Sequence, residues 1–179
     1  IEGRTTIGRG SVIGPFVRLC NVEVGEDVHV SQSTVLDSKL ASQCEVGPYS
    51  YIRPGSHISR GAKVGAFCEV KNTVLGESSK IPHLSYVGDT EVGNDVNIGA
   101  GVITCNFDGV TKHKTVIQDG AFIGSNCNLI APLDVGKGAY TAAGSTITGD
   151  VPADALAVAR ARQKNIPEWA RKRDKKSRD

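Results

Sequence analysis

The sequence predicts an all-β protein, a parallel β-helix built from hexapeptide repeats. Three observations carry this. An aliphatic residue returns every sixth position, as in the run Leu40, Val46, Ile52, Ile58, Val64 and Val70. Glycine often follows it (Gly8, Gly14, Gly47, Gly65, Gly99, Gly124), and four residues after it sits something small or β-branched (Val28, Cys44, Ser50, Ala62, Cys68, Ala121). A period of six fits neither a helical stripe nor simple β alternation, but it fits one short strand and one turn per repeat.

The repeats run in order from the first residue. Ile1, Ile7, Ile13 and Leu19 open the beat, and Val24, Val30 and Leu36 follow after a slip. The long run comes next, then Leu75, Ile81 and Val87, Val92 and Ile98, Ile117, Ile123 and Leu129, and finally Val135, Thr141 and Ile147. Three hexapeptides per triangular coil give about eight coils over residues 1–150. One interruption lies between Ile98 and Ile117. There Thr104 to Lys112 contains an Asp-Gly turn signal and too many polar groups for a core strand, so it is expected to leave the solenoid as an extruded loop. From Val151 the beat stops, and residues 151–179 are expected to form a connector, a basic tail and a short helix over 166–176 opening near Pro167.

Composition agrees with a narrow solenoid: aromatic residues make up 5% and there are 21 glycines, suited to tight corners. The net charge of +2 conceals an asymmetry. Residues 160–179 hold nine basic and three acidic side chains, leaving −4 on the remainder. No nucleic-acid-binding motif accompanies that tail, and no signal peptide or bilayer-length apolar run is present, so neither nucleic acid nor membrane is an expected partner. Five cysteines form no CxxC, and Cys44, Cys68 and Cys127 fall at the small position of the repeat. They read as packing residues of a protein in a reducing, cytoplasmic compartment. The chain lacks methionine and opens in register, as expected of a piece of a longer protein. Ile1-Glu2-Gly3-Arg4 matches a protease recognition sequence and equally fits the beat.

Chemistry concentrates in a few places. His83 stands in Pro82-His83-Leu84-Ser85-Tyr86-Val87-Gly88-Asp89, and none of the four histidines forms a zinc-type pair with another. Arg53 and Lys71 are eighteen apart, which stacks them on neighbouring coils. Two stacked cations favour an anion between them, a phosphate or carboxylate. Asn97 and the Asn106 loop are expected to converge with them and with His83 on one side. A β-helix serving only as an assembly module, and a metal hydratase of the γ-carbonic anhydrase type, are the competing readings. Cys105 is the rival for a covalent route, without a base beside it in sequence.

Tyr51-Ile52-Arg53-Pro54-Gly55, Glu69-Val70-Lys71, the His83–Asp89 segment, Asn97-Ile98-Gly99-Ala100-Gly101 and Thr104-Cys105-Asn106-Phe107-Asp108-Gly109 occur in this order and spacing. Together they resemble the C-terminal acetyltransferase domain of the bacterial bifunctional N-acetylglucosamine-1-phosphate uridyltransferase / glucosamine-1-phosphate acetyltransferase, over essentially the whole chain. The resemblance implies a left-handed parallel β-helix, a homotrimer with sites between subunits, and acetyl transfer from acetyl-CoA to the amine of glucosamine 1-phosphate for cell-envelope synthesis. It implies His83 as general base, Arg53, Lys71, Tyr86, Asn97 and Lys112 as sugar-phosphate contacts, and Ala100, Asn106, Phe107, Ser125, Ala143 and Arg160 as acetyl-CoA contacts. The family often carries Tyr where Phe107 stands, so a contact through that hydroxyl is lost here. No nucleotide-binding motif for the uridyltransferase half is found, and no metal is expected for the acetyltransferase half. The chemistry is self-consistent: N-acyl transfer needs a base to free the amine lone pair, imidazole exchanges protons near neutral pH, and backbone N–H groups are suited to hold the oxyanion.

Overall fold

The computed structural model describes residues 1–174. Three parallel sheets of eight, nine and eight short strands wrap into a triangular stack of about nine turns. We call the faces A, B and C in the order the chain visits them. Strand Glu69–Lys71 lies on face A, Val74–Leu75 on face B and Lys80–His83 on face C, and the chain then returns to face A at Tyr86–Gly88. Every named strand pairs in parallel with the strand one turn above or below, as in the left-handed β-helix implied above.

Outside the coil that carries the insertion, each turn advances 16 to 18 residues, seen in Glu23 against Lys39, Lys63 against Lys80, and Tyr51 against Glu69. One residue per strand points inward and stacks on its equivalents, so Ile52, Ile58, Val64, Val70, Leu75, Ile81 and Val87 are fully buried in a single continuous core. This is how a solenoid replaces a central globule: each coil hides its apolar row against its neighbours. The first coil has a neighbour on one side only, and Ile1 and Ile7, which keep the beat in the sequence, are exposed. A second departure occurs at Leu36. Val35 fills the interior and Leu36 lies half-buried on the outer surface, because the strand Thr34–Leu36 alternates sides and the shortened corner before it shifts the phase by one.

The inserted loop starts two residues later than the polar stretch suggests. Ile103–Cys105 is a face A strand, and Thr104 is buried at the position where other coils carry an aliphatic residue. Its hydroxyl accepts from Gly88 N at 2.8 Å and donates to Gly88 O at 3.2 Å, which satisfies a polar group at a core position. The insertion is residues 106–114. It lengthens the register from Thr90 to Thr115 to 25 residues, and the turn beyond returns to 18.

At the other end the coil continues past residue 150. Val151 bridges Val135, and strand Leu156–Ala157 adds to face C beside Tyr140–Thr141. The helix is Trp169–Asp174; residues 175–179, the end of the expected helix and basic tail, lie outside the described residues. Among the described residues no helix is long and apolar enough to cross a membrane.

Candidate active site

The three corners differ in chemistry. The corner from A to B is turned by Asn21, Asp37, Gly55, Asn72 and Asp89, all with positive φ. Short polar side chains and glycine suit this left-handed conformation. The corner from C to A instead uses Phe16, Gln32, Tyr49, Phe67 and Leu84 in the same conformation. Bulky side chains are uncommon there. All four apolar members are more than half exposed, and the Tyr49 and Phe67 rings stack with centroids 5.2 Å apart. Below Leu84 the same corner turns small, with Gly101, Asn126 and Gly144.

His83 ends strand Lys80–His83 at this C–A corner and is exposed. Gly101 N donates to His83 O at 3.3 Å, Asn126 N to Ala100 O at 2.8 Å and Gly144 N to Ser125 O at 2.8 Å. His83, Ala100, Ser125 and Ala143 therefore follow one another down one corner, with Arg160 exposed just beyond the last face C strand. The change from bulky to small residues occurs at the imidazole. Asn97 opens the face C strand Asn97–Ile98 on the same flank, in register with Lys80 and Phe122.

The other candidates gather at the A–B corner, across face A. Arg53 Nη1 donates to Glu69 Oε1 at 2.7 Å, and its guanidinium lies over the Tyr51 ring, 5.9 Å from the centroid. Lys71 Nζ is 3.4 Å from Asp89 Oδ2, with side chains only 17% and 13% exposed. Lys112 reaches in from the inserted loop to Lys71. The two amines lie close enough to oppose each other's charge: Lys71 holds Lys112 below its ordinary pKa, while Lys112 and Asp89 hold Lys71 above its own. Asn106, buried at the corner, donates through Nδ2 to Asp89 Oδ2 and, at 3.3 Å, to Tyr86 Oη.

The Tyr86 ring crosses the face because Gly88 leaves room for it. A Cβ on Gly88 would collide with the Tyr86 hydroxyl and come within 2.9 Å of Asn106 Nδ2.

The inserted loop is braced from within. Phe107 and Lys112 form an antiparallel bridge. Asp108 Oδ1 accepts from Val110 N and Thr111 N at 2.8 and 2.7 Å, and His113 Nε2 is 2.7 Å from Asp108 Oδ2. The Thr111 N–H, the His113 ring and the Val110 N–H together hold the Asp108 carboxyl well below the usual carboxylate range. Phe107 and Val110 stand exposed on it.

Two expectations change. The predicted residues do not converge in one chain: the face A strand Tyr86–Gly88, about 10 Å long at the usual rise, separates the His83 column from Arg53, Lys71 and Lys112. The eighteen-residue interval did stack Arg53 and Lys71, since Tyr51 pairs with Glu69 and Ile52 with Val70. But each cation already has a carboxylate, so stacking alone does not demand an external anion. Glu69 and Asp89 were the unassigned members. Asp89 follows Lys71 by the same eighteen residues, and that interval was the available signal.

Comparisons with known proteins bear on this arrangement. No family model matches the chain. It is 59% identical over 164 residues to the bifunctional protein GlmU of Heliobacterium modesticaldum, covering 92% of this chain. It is 54% identical over 176 residues to that of Brevibacillus brevis, covering 98%. The chain belongs to the GlmU family. It corresponds to the C-terminal acetyltransferase part, and spans 36% and 38% of the length of these two curated relatives. Among solved structures, the acetyltransferase domain of PglB from Neisseria gonorrhoeae, in complex with acetyl coenzyme A, superimposes with a TM-score of 0.59 at 22% identity, covering 65% of this chain and 54% of that one. At that identity the likeness speaks to the fold.

Proposed function

We propose that the chain is a glucosamine-1-phosphate N-acetyltransferase: it moves the acetyl group of acetyl-CoA to the sugar amine. The observation that carries this is the identity with GlmU over nearly the whole chain. His83 takes the proton from the amine. The nitrogen attacks the thioester carbonyl, the C–N bond forms, the C–S bond breaks, and CoA leaves as its thiol. Arg53, Lys71 and Lys112 receive the phosphate, with Tyr86 and Asn97 against the sugar. The small-residue corner running down from His83 through Ala100, Ser125 and Ala143 to Arg160 suits an extended acetyl-CoA, with Asn106 and Phe107 closing on it from a loop. No metal takes part in this step.

The same reading makes the working unit a homotrimer. One chain holds the base column and the cationic edge on opposite sides of face A, so a complete site needs the column of one subunit against the edge of another. The exposed stripe Phe16, Tyr49, Phe67 and Leu84 leads directly to His83. An apolar stripe of this kind, built on a strained corner, suits burial against a second copy. The five free cysteines suit a reducing cytoplasm.

The test is release of free CoA thiol from acetyl-CoA with glucosamine 1-phosphate, read alongside oligomeric state. Thiol release that requires the sugar phosphate and disappears on dilution to monomer is expected. A folded oligomer that releases no thiol would sink the reading.

A further inference from the structure

One carboxylate has no role in the reaction as proposed, yet it touches both Lys71 of the cationic edge and Asn106 at the root of the inserted loop. Asp89 turns the A–B corner at φ 49° with its side chain almost buried. Its Oδ1 accepts from Asn72 Nδ2 at 2.7 Å, and its Oδ2 accepts from Asn106 Nδ2 and faces Lys71 Nζ at 3.4 Å. The contacts are unequal. The two amides are held closely, whereas the ammonium stands well beyond the 2.7–2.9 Å typical of a tight charge-assisted bond. An anchor that grips the root of the inserted loop and only neutralises the lysine leaves that lysine free to swing toward an incoming phosphate.

The backbone of Asp89 supports the same task. Its N–H donates to Lys71 O at 2.9 Å and its carbonyl accepts from Thr115 N at 3.2 Å, so it joins the coil of Lys71 to the point where the loop rejoins the stack. Burial pulls its carboxyl pKa upward, but the hydrogen bonds from Asn72 and Asn106 and the charge of Lys71 outweigh this and hold it below the ordinary value. It is an anion whenever the protein works.

We propose that Asp89 is a positioning residue that couples Lys71 to the loop root Asn106, so that the phosphate-receiving and acetyl-CoA-facing groups are held ready together. This rests on the acetyltransferase reading.

The test uses the whole oligomeric protein and Asp89→Asn, which keeps the shape, removes the charge and presents an amide to the two amides. Hydrogen exchange of residues 106–114 is expected to rise about tenfold, and KM for glucosamine 1-phosphate about tenfold, with kcat changed far less. In an Asn106→Ala background the exchange effect should largely vanish, as required of residues acting through one contact. Unchanged exchange in the loop overturns the proposal, as does a rise shared equally by all coils, which marks a merely structural role. If Asp89→Asn does not fold, Asn72→Ala frees Oδ1 alone and is expected to raise loop exchange severalfold; no rise there overturns it equally. The exchange arm needs no turnover, so a wild-type protein without acetyl transfer would sink the functional reading and leave the coupling separately measurable.

Discussion

Asn106 Nδ2 lies 3.3 Å from the Tyr86 hydroxyl oxygen, tying a residue of the inserted loop to the middle of the face that separates His83 from Lys71. The contact spans the two halves of the candidate site within one chain. It exists because Gly88 carries no side chain beneath the ring.

Gly88→Ala should therefore disturb the site more than the fold. The methyl would meet the movable end of Tyr86 and the Asn106 amide, not backbone. A stability loss of about 1 kcal/mol is expected, with KM for the sugar phosphate raised severalfold. Steady-state kinetics alongside a urea melt check this.

His83→Ala should lower kcat on the order of 10²–10⁴-fold if the imidazole is the general base. The side chain is exposed at a corner, so the melting transition should stay where it is. Turnover indifferent to the change would remove the assignment.

Arg53→Lys should raise KM for glucosamine 1-phosphate about tenfold, because an ammonium cannot both lie over the Tyr51 ring and keep the hydrogen bond that Nη1 makes to Glu69. Glucosamine 6-phosphate should be a poor substitute for the 1-phosphate in the unmodified protein. Equal turnover of both would count against the cationic edge as the phosphate site.

Thr104→Val should destabilise the protein by about 1–3 kcal/mol, since it leaves the buried Gly88 N–H without its acceptor. Chemical denaturation measures it. A neutral result would mean that the Gly88 backbone finds another partner.

Acid should loosen the loop before the stack. Asp108 is held below its ordinary pKa, so its contribution is complete above about pH 4, the unfolded carboxyl range, and declines as pH falls through the lower folded value. Hydrogen exchange of 106–114 followed downward from pH 5 should rise while exchange at Ile52, Ile58 and Val70 stays slow. Asp108→Asn should show the loosened loop already at neutral pH.

Much of this was legible in the chain. The aliphatic positions from Leu40 to Val87 are the buried column because one interior residue per strand is all a narrow coil admits, and the interval of eighteen placed Lys71 beside Arg53. Three things were not legible. Leu36 kept the beat but Val35 took the interior, since a corner shortened by one residue reverses which side each neighbour faces. Thr104 read as loop because its polarity hides a buried hydroxyl bonded in both directions to Gly88. The separation of His83 from Lys71 is not legible from stacking alone, because twelve residues are about two thirds of a turn and end at a different corner. Ile81 belongs to face C and Val87 to face A, so the five residues between them turn a corner.

The jump from 17 to 25 residues at Thr115, and the return to 18 in the next turn, leave the coils on either side in ordinary register. The stack thus behaves as a rack with interchangeable inserts. What is plugged into one vertex can be exchanged while the frame keeps its alignment, which makes the 106–114 segment the natural place to accept an insertion of different length.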